Sequence, residues 1–268
     1  MFHFFRPSGI LADFVKQYWI LEGNISDIDI SKQRIIPNGY IEIMFHFGDD
    51  LIVLSPDEKI NKRKNAVICG HRSYCYDIIA AGKIGLLSVV LKPEGAMMFF
   101  KMPLSVIRDQ TIELEDIFED ANELEDMLCN ATDNLERINI IDLYLRALLI
   151  EDKFYDYKRM RSCIKSIDHN KGQVKISDLA ECACLSEKQF QRNFKKYIGT
   201  TPKDFINVVR FQNAIHQKQK RPGIKLTELA LLSGYYDQSH FIHDFKRFSG
   251  HSPRQFFSEE EPYSDYFS

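Results

Sequence analysis

At 268 residues the chain exceeds an ordinary domain of about 100–150 residues, so it has room for two packed cores. Its longest apolar runs, 84–91 and 143–150, fall short of the ~18 residues a membrane-spanning helix needs, residues 1–10 lead into no apolar export signal, and its six cysteines form no CxxC pair, which argues against a disulfide framework or a zinc ribbon. The net charge of −3 hides a segregation: residues 1–157 carry 16 Lys and Arg against 26 Asp and Glu, residues 158–258 carry 19 against 8, and residues 259–268 hold four acids. A basic block beside an acidic one fits a nucleic-acid-binding module attached to a module that does not bind nucleic acid, and the expected setting is a reducing cytoplasm.

In chain order, residues 15–21, 40–47, 51–54, 66–69, 75–80 and 84–91 read as antiparallel strands. They are separated by turns at Pro37-Asn38-Gly39, Gly48-Asp49-Asp50, Pro56-Asp57 and Ala81-Gly82. Ile41, Ile43 and Phe45 alternate with Glu42, Met44 and His46, which predicts a strand with one wet face. His46, His71, Cys69 and Cys75 show no HxH or CxxC spacing and read as structural, so no metal and no cofactor is expected. After Pro93 the pattern turns helical at 94–101, 114–127 and 134–150. The last segment carries an apolar stripe of Leu135, Ile138, Ile141, Leu145, Leu148 and Leu149, which either packs inward or forms a dimer seam with a second copy. The chain turns polar near 153–158, dividing it into a domain at 1–152, a basic domain at 153–258 and an acidic tail at 259–268.

The basic block contains an internal repeat. Leu179-Ala180 recurs fifty residues on as Leu229-Ala230. From there the offset becomes 51, pairing Phe190 with Phe241, Phe194 with Phe245, Gly199 with Gly250, Thr201-Pro202 with Ser252-Pro253 and Phe205 with Phe256. One extra residue in the second turn accounts for the shift. Each unit reads as two short helices around a tight turn. In the first, Ser177 is expected to cap 178–183 and Ser186 a helix over about 186–197 that Gly199 stops; in the second, Thr227 is expected to cap 228–233 and Asp237 a helix over about 237–248. Pro202-Lys203 opens a linker helix to about Gln217. With Phe190, Phe194 and Tyr197 facing the core, Lys188, Gln191, Arg192 and Lys195 share the opposite face; with Phe241, Phe245 and Phe248 inward, Ser239, His240, His243 and Arg247 project outward. Such helices fit the major groove, where Arg or Lys pairs with guanine and Gln with adenine, and two of them ~34 Å apart reach successive turns.

The segments Leu185-Ser186, Phe190-Gln191-Arg192-Asn193-Phe194-Lys195, Gly199-Thr200-Thr201-Pro202, Gly234-Tyr235-Tyr236-Asp237-Gln238-Ser239-His240-Phe241 and Gly250-His251-Ser252-Pro253 resemble the C-terminal domain of AraC/XylS-type regulators over about 157–257. The resemblance implies a sequence-specific transcription regulator, not an enzyme. It implies base contacts from Lys188, Gln191 and Arg192 and, on the second helix, from Gln238, Ser239, His240 and His243. Cys184 stands where this family often has glycine, and if the position needs positive φ a side chain there bears strain. The first half is similar to the β-barrel sensing domain of such regulators, with the Arg34-Ile35-Ile36-Pro37-Asn38-Gly39 turn seen in some members. The fold expected is therefore α+β: an N-terminal antiparallel β-barrel-like domain with helices, then an all-α domain of two helix-turn-helix modules joined by a linker helix. Double-stranded DNA and RNA polymerase are the partners implied, with no membrane; a small effector and a homodimer stay open. Tyr18, Trp19, Phe45 and Phe47 either line an effector pocket or fill the barrel core. Two rivals are an enzyme with a DNA-targeting domain, which no Cys-His nucleophile pattern supports, and a low-specificity architectural DNA binder.

Overall fold

The computed structural model describes residues 1–24, 32–49, 51–54, 66–80 and 82–258. The Pro56-Asp57 turn, Ala81 and the acidic tail lie outside them. Among the described residues, the first part is built from nine strands in two antiparallel sheets. Strands β1 (Phe2–Phe5), β2 (Val15–Asn24), β4 (Ile41–His46), β6 (Ala66–Cys69), β8 (Lys83–Leu91) and β9 (Thr111–Glu113) form one sheet in the order β1-β2-β8-β4-β6-β9, and β3 (Lys32–Ile35), β7 (Tyr76–Ala80) and β5 (Leu51–Leu54) form the other in the order β3-β7-β5. Among the described residues these ladders do not close into a barrel. β8 is buried from Ile84 to Leu91 because it lies between β2 and β4 with both faces covered, which is why it reads as a continuous apolar run.

The two faces of this sheet are distinct. Tyr18, Ile20, Ile43, Phe45, Leu87 and Val89 point into the main core, while Trp19, Leu21, Ile84, Leu86 and Val90 form a separate cluster behind it. The expected wet face of β4 is covered by this second cluster: Glu42 is buried, with its carboxylate held by Ser88 Oγ at 2.9 Å and Asn38 Nδ2 at 3.3 Å. Burial raises the Glu42 carboxyl pKa in spite of these donors. The same alternation corrects the pocket reading. Adjacent on β2, Tyr18 and Trp19 face opposite sides of the sheet; the Tyr18 hydroxyl donates to Asp142, and Phe45 is core while Phe47 lies half-buried under the Arg137 guanidinium. Trp19 therefore shares no lining with the other three, which belong to the main core or pack against it.

Residues 94–101 hold a 3-10 turn at Ala96–Met98 in place of a full helix, and 114–127 divides into a 3-10 turn at Leu114–Asp116 and α1 (Ala121–Asn130). α2 (Asn134–Ala147) is capped by Asp133, whose side chain accepts from Glu136 N at 2.8 Å. Five residues of its stripe pack inward, Ile138, Ile141 and Leu145 in the main core with Leu148 and Leu149 against them, while Leu135 is 64% exposed. Those five side chains are committed to the chain's own core and are not available as a seam with a second copy.

The helical part comprises α3 (Phe154–His169), α4 (Ile176–Cys182), α5 (Glu187–Ile198), α6 (Pro202–Lys220), α7 (Leu226–Leu232), α8 (Gln238–Ser249) and α9 (Pro253–Phe256). The main core runs without a break from the sheet into α3, α4 and α5, as Phe14 stacking edge-on against Tyr157 at 4.8 Å illustrates. A second core gathers Phe211, Leu229, Tyr235, Phe241, Phe245, Phe248 and Phe256.

Candidate nucleic-acid interface

Each helix-turn-helix unit is assembled by the same bonds at offset positions. In the first, Cys184 adopts φ 52° and Leu185 N donates to Ala180 O at 3.0 Å; in the second, Gly234 adopts φ 81° and Tyr235 N donates to Ala230 O at 3.0 Å. The extra residue of the second turn is thereby placed as Tyr236, which is 90% exposed. Cys184 carries a side chain in a left-handed conformation that costs about 1–2 kcal/mol for residues other than glycine. Cys184→Gly is expected to stabilise the chain by up to about 1 kcal/mol after glycine's greater unfolded-state entropy is subtracted, readable as a higher urea midpoint; a lower midpoint would contradict the strain.

The second helix of each unit starts as expected. Ser186 and Gln189 form a reciprocal capping box on α5, and Asp237 Oδ1 accepts from His240 N at 2.7 Å on α8. Gly199 at φ 98° and Gly250 at φ 76° end the two helices in the left-handed region that glycine adopts without penalty. The first helices start earlier than read. α4 and α7 begin after Lys175 and Lys225, neither of which caps through its side chain. Ser177 and Thr227 lie inside those helices, with their hydroxyls turned to Asp178 Oδ1 at 3.1 Å and Gln238 Oε1 at 2.9 Å.

On α5 the buried face is Phe190, Phe194 and Ile198. Tyr197 is only half-buried, and its hydroxyl donates to Asp156 Oδ2 at 2.6 Å. Lys188, Gln191, Arg192 and Lys195 are all exposed at i, i+3, i+4 and i+7, a single stripe with three cations. On α8, Phe241, Phe245 and Phe248 are fully buried, and Ser239, His240, His243 and Arg247 are exposed. This face is partly committed within the molecule. Gln238 is half-buried and accepts from Thr227; His240 Nε2 and His243 Nδ1 lie 3.4 and 3.5 Å from the buried Asp244 carboxylate; Arg247 Nη2 lies 3.5 Å from Asp204 Oδ1.

The linker helix α6 opens at Pro202 with Thr201 as its cap, accepting from Asp204 N at 3.1 Å, and spans 19 residues, about 28 Å at 1.5 Å per residue. Phe205 belongs to the first core and Phe211 to the second, so one helix carries both modules. Contacts across the two halves, which no local pattern announces, fix this helix to the sheets. Ile36 enters the second core, Gln212 Nε2 donates to Pro37 O at 2.6 Å, and Arg108 Nη2 pairs with Asp204 Oδ2 at 3.0 Å. Burial alone would raise the Asp204 carboxyl, but Thr201, Arg108 and Arg247 hold it below its usual range.

A helix-turn-helix domain model matches residues 179–259, and a domain model of unknown function, DUF6597, matches residues 3–113. The HTH-type transcriptional regulator MtrA of Neisseria gonorrhoeae is 32% identical over 130 residues, covering 45% of this chain and 43% of that protein. Over its helix-turn-helix half the chain is similar to AraC/XylS-type regulators. An HTH-type transcriptional activator RhaS of an Enterobacter species is a further relative, 26% identical over 147 residues, with 54% of this chain and 52% of that protein covered. The chain thus spans about half the length, or less, of these family members. Among solved structures, ToxT from Vibrio cholerae aligns over 89% of this chain and 98% of its own at 9% identity, with a TM-score of 0.46. No helix among the described residues is long and apolar enough to cross a membrane.

Proposed function

We propose that this chain is a sequence-specific regulator of transcription that inserts α5 and α8 into the major groove of double-stranded DNA, and that it is not an enzyme. The observation that carries the reading is the exposed stripe Lys188, Gln191, Arg192 and Lys195 on a helix whose opposite face is locked into a phenylalanine core. Arginine and glutamine so held present bidentate donors and acceptors to base edges at little entropic cost. α5 is the stronger reader, because Gln238, His240, His243 and Arg247 on α8 already have partners within the protein. The same reading divides the chain into a regulatory domain at 1–152 and a DNA-binding domain at 153–258, places it in the cytoplasm, and takes RNA polymerase and a small effector as its partners.

Selection of a binding site from random DNA with the full chain, followed by binding assays at fixed salt, tests this. Arg192→Ala is expected to weaken the selected site by about 1–3 kcal/mol and to relax preference at one or two base pairs, with random DNA little affected. Unchanged binding by Arg192→Ala would remove α5 as the reader. Failure to favour any site by ~10³-fold over random DNA would leave an architectural binder.

A further inference from the structure

The two helix-turn-helix units are joined by more than the α6 helix they share. The loop 170–175, which leads from α3 into α4 of the first unit, packs against the turn between α7 and α8 of the second. Gln173 Nε2 donates to Leu232 O at 3.4 Å. Leu232 ends α7, so its carbonyl has no partner within that helix and a donor from the other unit serves it. The approach is close because Gly234 has no side chain: a Cβ there would stand 2.5 Å from Gln173 Cγ. The equivalent position of the first unit, Cys184, carries an exposed side chain in the same left-handed region. Positive φ alone therefore does not account for the glycine at 234, whereas room for Gln173 does.

Arg210, near the middle of α6, completes the contact. Its Nε donates to Gly172 O at 2.9 Å, and a Cβ on Gly172 would stand 2.8 Å from Arg210 Cγ and 3.0 Å from Ile206 O. Burial pulls the Arg210 pKa down and the charges of Tyr235 and Asp244 oppose it, so the guanidinium lies in the field of two buried side chains of the second unit. Asp244 in turn lies 3.4 Å from His240 and 3.5 Å from His243 on the outward side of α8. Long helices are seldom straight, so α6 by itself leaves the angle between the units soft. A second contact that closes the gap between them stiffens the pair.

We propose that Gln173 and Arg210 are positioning residues that brace the two units against each other and so fix the separation of the two half-sites the chain accepts on DNA. Their part in half-site spacing rests on the reading of DNA by α5 and α8 proposed above; the brace itself does not. One base pair inserted between the half-sites moves the second by about 3.4 Å along the duplex and about 34° around it, a displacement that a braced pair does not follow.

The DNA arm of the test uses the site selected by the full chain, with and without one base pair inserted between its halves. The unaltered chain is expected to bind the lengthened site about tenfold or more weakly. Gln173→Ala and Arg210→Met are each expected to shrink that penalty to about threefold or less, with the base preferences within both halves retained. A merely structural contact would lower binding to both sites in proportion and leave the penalty as it was; that result overturns the proposal, as does an unaltered chain indifferent to the insertion. Gln173 is exposed, so Gln173→Ala stays informative even if Arg210→Met disturbs the fold. The second arm needs no DNA. Spin labels attached through p-acetylphenylalanine at the exposed Lys195 and Lys246, equivalent positions of α5 and α8, are expected to give a narrow distance distribution that broadens in both variants. Equal widths in all three chains overturn the brace. If site selection fails, the regulator reading falls, and the label distances still decide the brace.

Discussion

Phe245→Ala is expected to cost about 3–5 kcal/mol, the range for truncating a fully buried aromatic side chain. The Phe245 ring is the hub of the second core: it lies 4.9 Å from Phe211, 5.4 Å from Phe241, 5.2 Å from Phe256 and 5.3 Å from Phe257. Its removal strips three edge-on ring contacts and one tilted one at once and leaves a void that α8, capped by Asp237 and Gly250, closes poorly. Because the first core continues into the sheets and the second, among the described residues, takes only Ile36 from that half with Cys75 packed against it, the loss falls on α7 to α9 first. Urea unfolding followed by circular dichroism should show an early transition for these helices, with the remainder retained. A loss under about 1 kcal/mol would mean that this core is not packed as described.

Acidification is expected to loosen the junction between the two halves through His71. This imidazole is buried 6.0 Å from the Phe205 ring, and burial, reinforced by the charge of Arg108, lowers its pKa to about 4, against a hydrogen bond with the Ile198 backbone and the charge of Asp109. A histidine with a folded-state pKa below its unfolded value of 6.5 binds protons more readily once the chain unfolds. Its contribution is therefore complete above pH 6.5 and is lost as pH falls toward 4, by about 3 kcal/mol in all. Stability against urea at several pH values between 7 and 4 measures this. Carboxylates titrate in the same interval, so the readout is the difference between the chain and His71→Gln, whose stability should fall less steeply with acid. Parallel slopes would sink the assignment.

The second helix of each unit was legible because it is short, capped and periodic: phenylalanines one helical turn apart, a Ser or Asp before them and a glycine after. The first helices were misread by two residues because hydroxyls at Ser177 and Thr227 look like caps, whereas the backbone turns in after lysines that make no side-chain cap bond. β1, β3 and β9 are not legible in the sequence because each is defined by hydrogen bonds from a partner strand elsewhere in the chain. The stripe on α2 announced a buried face without saying what would bury it. Arg108 with Asp204, His71 against Phe205 and the Pro37 turn on α6 left no local trace, because their meaning arises only when distant segments meet.

A single unbroken helix bearing a side chain in each of two cores also sets a phase. Adding one residue to the middle of α6 would advance everything beyond it by 1.5 Å and swing it by about 100°, changing the orientation of α8 relative to α5. The angular relation between the modules is thus written in the residue count of this helix, and it tolerates substitution along the exposed side far better than insertion or deletion.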